Sequence, residues 1–175
     1  MLKGMPFRWL TIFLDFPGAS FDTGAAFWRE VTGTALSPFR GAAGEFATLL
    51  PPDGDAYLRV QRVADGPGGH HLDLHVDSAA GMVDQATQAM DLGARMLYLA
   101  DGLIIADSPG GFTFCLVRWH GESQVPRPFS LGAAGPSRAD QLCLDIPPEA
   151  FDRECAFRCF RAGPRWPTPR GACTA

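Results

Sequence analysis

His71-Leu72-Asp73-Leu74-His75-Val76 alternates strictly, with three aliphatic side chains on one side and two imidazoles and a carboxylate on the other. A period of two marks an extended strand whose successive side chains point to opposite faces. The run therefore reads as a strand with one face in a core and the other turned to a polar space. Just downstream, Asp77-Ser78 supplies helix-capping oxygens, and Met82, Ala86, Ala89 and Met90 recur at helical spacing until Gly93. Apolar runs at 95–99, 103–106 and 112–119 follow, separated by Asp101-Gly102 and Ser108-Pro109-Gly110-Gly111, and read as further strands.

Upstream the same plan occurs once before. Leu10 to Phe16 reads as a strand, and Pro17-Gly18-Ala19-Ser20 as a turn into a helix whose inner face carries Phe21, Ala25, Trp28 and Val31 before Gly33. Strands at 45–50 and 57–63 flank the turn Pro51-Pro52-Asp53-Gly54. A shift of 60 residues sets Leu14 on Leu74, Ala26 on Ala86 and Gly33 on Gly93. Strand, helix, then strands, given twice, describes an α+β domain with helices outside one shared, curved sheet. In the second of the paired strands, alternation puts Tyr57, Arg59 and Gln61 on the polar face.

A stronger repeat begins later. Leu14-Asp15-x-Pro17, Phe21-Asp22 and Ala26-Phe27 recur 130 residues on as Leu144-Asp145-x-Pro147, Phe151-Asp152 and Ala156-Phe157. The expected organisation is a complete module at 7–119, in halves of about 7–65 and 70–119, then a linker at 120–139 and the start of a second module at 140–162. Residues 163–175 form an irregular tail. After Phe157 the likeness to the first copy stops, and Arg, Pro, Gly, Cys and Ala, residues with GC-rich codons, take over. This pattern points to a shift of reading frame near residue 158, against the simpler reading of a natural tail. Leu142, Leu144 and Ile146 are expected to form an unpaired edge strand, open to a second copy of the chain in a homodimer.

Composition narrows the function. The chain has 175 residues, 46% of them apolar, and a net charge of -4. That length supports one substantial core. Lys3 is the only lysine and the arginines are scattered, so the clustered cations that a nucleic acid requires are missing. No apolar run approaches the ~20 residues of a bilayer helix, so no membrane association is expected. The run Trp9 to Leu14 is shorter than a signal-peptide core and reads as a strand, which places the protein in the cytoplasm. Five cysteines without zinc-site spacing read as free thiols of a reducing compartment.

The chain resembles the vicinal oxygen chelate superfamily, in its glyoxalase-like and bleomycin-resistance-like branch. The resemblance is carried by Phe27-Trp28 before Val31-Thr32-Gly33, by the His71 to Asp77 strand, by Leu92-Gly93-Ala94, and by Ser108-Pro109-Gly110-Gly111 before the last strand, where Ser108 replaces the usual Asp. It implies paired βαβββ units whose mixed sheet makes a half-open cup around a small-molecule site. Metal-dependent members draw His or Glu ligands from both halves. Here His71 stands at one ligand position, but Thr11 is its counterpart in the first half. Cys115 stands where the last strand would carry a carboxylate, and Arg59 or Gln61 takes the remaining place. His71 and His75, about 13 Å apart along one strand, are poorly placed to share an ion. No cofactor is therefore expected, and no divalent metal.

Two functional readings remain open at this stage, and a third beside them. In the first, His71, Asp73 and His75 carry acid–base chemistry of a lyase or isomerase, while Tyr57, Arg59, Gln61 and Cys115 line the site for a polar or anionic small molecule. In the second, the cup only sequesters a ligand, against Trp28, Tyr57, Phe112 or Phe114. The third is an inactive, truncated remnant. Reading the other two frames of the gene beyond codon 158 is expected to recover the continuation of the second module; finding no such continuation would sink the frameshift.

Overall fold

The computed structural model describes residues 7–130, 135–139 and 141–162, with side chains as far as Phe157; the irregular tail lies outside the described residues. The alternating run forms β5 (Gly69–Val76) near the middle of the sheet. The first half of the module is β1 (Trp9–Pro17), α1 (Phe21–Thr32), β2 (Ala35–Leu36), β3 (Phe46–Leu50) and β4 (Leu58–Val63). The second half is β5, α2 (Ala79–Asp91), β6 (Arg95–Ala100), β7 (Leu103–Asp107) and β8 (Thr113–Arg118). The eight strands form one mixed sheet in the order β2-β3-β4-β1-β5-β8-β7-β6, an unclosed sheet of paired βαβββ units.

Register shows how the halves meet. β1 and β5 run antiparallel with Ile12 opposite Leu72, and these two are each other's counterparts under the 60-residue shift. Thr11 lies opposite Asp73 and Phe13 opposite His71, again exchanging counterparts. β4 then pairs in parallel with β1, and β8 with β5, so an approximate twofold axis passes between Ile12 and Leu72.

Each helix covers one half. Under α1, Phe21, Ala25, Ala47, Leu49, Leu58 and Val60 form a buried cluster to which Ile12, Leu14 and Phe16 add. Under α2, Met82, Ala86 and Ala89 meet Val76, Ile104, Ala106, Phe114 and Leu116, with Leu72 and Leu74 alongside. Each fully buried large side chain contributes roughly 2–3 kcal/mol. The expected inner face of α1 is narrower than its spacing suggested, since Val31 is exposed. On α2, Met90 is likewise exposed. The Ser78 hydroxyl accepts from the Gly81 amide, capping α2, whereas Ser20 turns its hydroxyl to the Pro17 carbonyl. Gly33, at φ 62°, ends α1 with its amide on the Arg29 and Glu30 carbonyls.

The described part of the 120–139 segment is tied down. The Asp55 carboxylate accepts from the Ser123 and Gln124 amides at 2.7 and 2.8 Å, Asp53 holds Arg127, and the Tyr57 hydroxyl donates to the Ala139 carbonyl. The segment is a strap across the first half, ending in a small hairpin of β9 (Phe129–Ser130) and β10 (Pro136–Ser137).

Beyond the strap, the chain meets the second half. α3 (Phe151–Ala162) buries Phe157 against Phe114, with ring centroids 6.0 Å apart, and the Glu154 carboxylate accepts from the Gly110 amide at 2.8 Å. Gly110 is required there, because a Cβ would come within about 3.0 Å of Glu154 and Ile146. The expected edge strand at 142–146 does not form. Leu142, Leu144 and Ile146 are half-buried in irregular chain. A strand needs a ladder partner, and among the described residues none of the sheet's strands pairs with this stretch; the Ile146 side chain instead packs beside Gly110. Phe151 is 55% exposed although its counterpart Phe21 is fully buried, while Phe157 is buried although Phe27 is exposed. The two helices thus bury different faces of one shared pattern. Phe157→Ala should lower the unfolding free energy by about 3 kcal/mol in denaturant melts; an unchanged midpoint would mean that α3 does not dock.

Candidate functional site

The face of the sheet away from the helices is polar at its centre. Thr11, Phe13 and Asp15 come from β1, Arg59 and Gln61 from β4, His71, Asp73 and His75 from β5, and Cys115 from β8, because their neighbours Ile12, Leu14, Val60, Leu72, Leu74, Phe114 and Leu116 are committed to the two cores. Thr11, Phe13, Asp73, His75 and Cys115 are all buried. His71 and Asp15 keep 14% of their side-chain surface each, so they form the wetter part of the group.

Each histidine has its own partner. His71 Nδ1 lies 2.7 Å from Asp15 Oδ2. The carboxylate accepts a proton-bearing Nδ1, which leaves Nε2 as the free lone pair, 4.0 Å from Asp73 Oδ1. The imidazole also stacks on Phe13 at 4.5 Å between centroids, which fixes its plane. His75 Nε2 lies 2.9 Å from Thr11 Oγ1, and its Nδ1 faces Glu122 at 3.7 Å. Shifting Asp15 and Thr11 by 60 residues gives His75 and His71, so the two contacts are the same diagonal pair seen from either side of the twofold axis.

Burial governs the titration here. It pulls the His75 ring down to about 4, opposed by Glu122 and helped by the charges of Arg59 and His120. The Asp73 carboxyl is pushed up by burial, against His71, the hydrogen bond with Cys115, and Arg59. Burial also pushes the Cys115 thiol far up, and the charge of Asp73 adds to this, so it is inert as a nucleophile near neutrality. Arg59 is pulled down by burial; Asp73 and Glu122 oppose that shift and Arg40 reinforces it. Among the described residues, three buried polar atoms lack a hydrogen-bond partner: Asp15 Oδ1, Arg59 Nε and His75 Nδ1. Such atoms cost free energy unless a bound group meets them.

His71, Asp73 and Cys115 place donor atoms within 4.8 Å of one another. Four-coordinate zinc needs donors about 3.6 Å apart, so the spacing is near that of a site. An imidazole, a carboxyl and a thiol are a donor set that a divalent ion can use once the two acids give up their protons. Burial pushes both Cys115 and Asp73 toward their protonated forms, and the Arg59 cation acts on the same carboxyl, so an ion would have to displace protons there. His71 and Asp73 do come together as expected, with Arg59 near them. Tyr57 does not join them: β4 starts at Leu58, and the Tyr57 ring packs on the core beneath α1. Trp28 packs in that same core, and Phe112 and Phe114 in the core under α2, so none of the four aromatics expected to contact a ligand faces the cup. Sequence reasoning missed Asp15, although alternation through Leu10 to Phe16 puts it on the polar face. It missed Glu122 with better reason, since the strap delivers that carboxylate from outside the repeat.

The fold and its polar floor define a paired βαβββ cup of the vicinal oxygen chelate class. The chain belongs to the glyoxalase-like domain family, which matches residues 11–117. Among solved structures it is similar to the Mn(II)-bound glyoxalase from Novosphingobium aromaticivorans, at 16% identity and a TM-score of 0.44, over 73% of this chain and 42% of that one. It is also similar to 2,2',3-trihydroxybiphenyl 1,2-dioxygenase from Sphingomonas wittichii, at 12% identity and 0.49, over 68% and 43%. A methylmalonyl-CoA epimerase in complex with methylmalonyl-CoA matches at 21% identity and 0.46, over 67% of this chain and 98% of that one. The chain thus spans less than half the length of the glyoxalase and the dioxygenase. No curated protein matches it.

With a folded pKa near 4 against an ordinary value of ~6.5, His75 takes up its proton in the unfolded chain first. Its contribution is therefore intact above pH ~6.5 and is lost as the pH falls toward 4. Across that window the wild type should lose as much as about 3 kcal/mol relative to H75Q. A constant difference in unfolding free energy between the two would show that His75 titrates alike in both states.

Proposed function

We propose that the cup binds a small anionic molecule through Arg59 and exchanges a proton with it through His71, without a resident metal. One observation carries this reading: the half-buried Arg59, with an unpartnered Nε, shares the cup face with a histidine whose tautomer is set by Asp15. The guanidinium orients the anion. His71 Nε2, its proton-bearing Nδ1 anchored on Asp15, takes a proton from the bound molecule and returns it, as a lyase or isomerase step requires. The buried Asp73 and Cys115 form the floor, where burial pushes both groups toward their protonated forms. His75 is held uncharged on Thr11 and serves as floor, not as base.

The stack of His71 on Phe13 favours a second reading, in which the ring is a rigid wall and the cup only sequesters its ligand. Proton chemistry separates the two. With 2-keto and 2-hydroxy acids in deuterated solvent, the wild type should incorporate deuterium alpha to the carbonyl group, at C3 of a keto acid or C2 of a hydroxy acid. H71Q should bind the same acid within about threefold but lose the exchange, and R59M should weaken binding at least about tenfold. Binding without exchange in the wild type selects sequestration. Stoichiometric manganese, iron, nickel or zinc in protein purified without chelators would overturn the metal-free reading.

A further inference from the structure

Among the described residues, several surface arginines sit against carboxylates. Arg8 meets Asp77, Arg62 meets Asp22, Arg95 meets Asp107 and Arg127 meets Asp53. Two arginines that converge on the rim of the cup do not. Arg59 sits on β4 directly across the ladder from Thr48 of β3, which puts their Cβ atoms about 5 Å apart on the cup face. Arg40 reaches the same place from the loop before β3. Its backbone is fixed by reciprocal hydrogen bonds with Phe46, and its guanidinium donates to Ser37 Oγ at 3.0 Å and to Thr48 Oγ1 at 2.8 Å. Among the described residues, neither guanidinium makes an ion pair, and their charges repel.

Their surroundings explain why both stay in place. Two neutral hydroxyls hold Arg40, and the Phe13 ring lies 5.6 Å from the Arg59 guanidinium carbon. These contacts hold each cation in place through neutral groups, while the charges of Asp73 and Glu122 act on Arg59. Among the described residues Arg59 Nε has no acceptor. Two guanidiniums that stand close enough to repel each other suit the paired oxygens of a doubly charged oxyanion.

We propose that Arg40 and Arg59 together form a seat for a doubly charged oxyanion group, a phosphate or phosphonate or a pair of carboxylates, at the β3–β4 rim of the cup. This deepens the proposed function and rests on it: Arg59 alone holds a single negative charge, and Arg40 selects for a second. The far end of such a molecule would lie toward His71 and Asp15.

Inorganic phosphate, malonate and acetate, titrated at pH 8 and low salt by NMR or calorimetry, test the seat. The group's chemistry predicts that phosphate or malonate binds at least about tenfold more tightly than acetate. R40Q should remove that excess and leave acetate within about twofold, while R62Q, on the opposite face, should change nothing. Thermal unfolding of R40Q, whose amide keeps hydrogen-bonding capacity, reports whether the loop has kept its place. Greater excess for phosphate identifies a tetrahedral group, and greater excess for malonate a dicarboxylate. If doubly charged anions bind no more tightly than acetate, or R40Q keeps the excess, the two-arginine seat is wrong while the role of Arg59 stands. If R59M binds acetate as the wild type does, or if none of the three anions binds, both fall.

Discussion

The antiparallel seam between β1 and β5 is the constraint on which the rest of this molecule depends. Two copies of a βαβββ unit each have an open edge, and pairing equivalent edges removes both at once. Because Ile12 faces its own counterpart Leu72, the seam is close to symmetric, and it brings the polar faces of two central strands together in one place. The two diagonal contacts, Asp15 with His71 and Thr11 with His75, are direct products of that register. A slip of one residue would send all of these side chains into the hydrophobic cores.

Symmetry of backbone has been filled with asymmetric chemistry. Where one half offers Asp15, Thr11 and Arg59, the other offers His75, His71 and Cys115. The result is a cationic side toward β3 and β4 and a side of imidazoles and carboxyls toward β5, with Phe13 stacked between them. Burial pushes Asp73 and Cys115 toward their protonated forms, and Arg59 adds a permanent cation beside them.

The segment after β8 does more than connect. It clips onto Asp53 and Asp55, brings Glu122 beside His75, and then lays α3 on the core under α2. A helix that repeats the pattern of α1 buries a different side of that pattern, with Phe157 against Phe114 and Glu154 on the Gly110 amide. Phe151 is left outside.

The sequence by itself determined the elements, the doubling and the faces. Alternation in 71–76 separated Leu72, Leu74 and Val76 from His71, Asp73 and His75, because a period of two admits no other partition. Helical spacing picked out Phe21, Ala25, Met82, Ala86 and Ala89, which are buried as expected. Tertiary structure alone decided which polar groups meet. Asp15 is 56 residues from His71, Thr11 is 64 from His75, and Arg40 finds Thr48 only because a loop folds back on β3. Tyr57 left the cup because the strap supplied a partner for its hydroxyl in the Ala139 carbonyl, 82 residues on. Local pattern fixes which way a side chain points, since sterics act within a few residues. What it points at depends on strand order and register, which only the packed sheet settles.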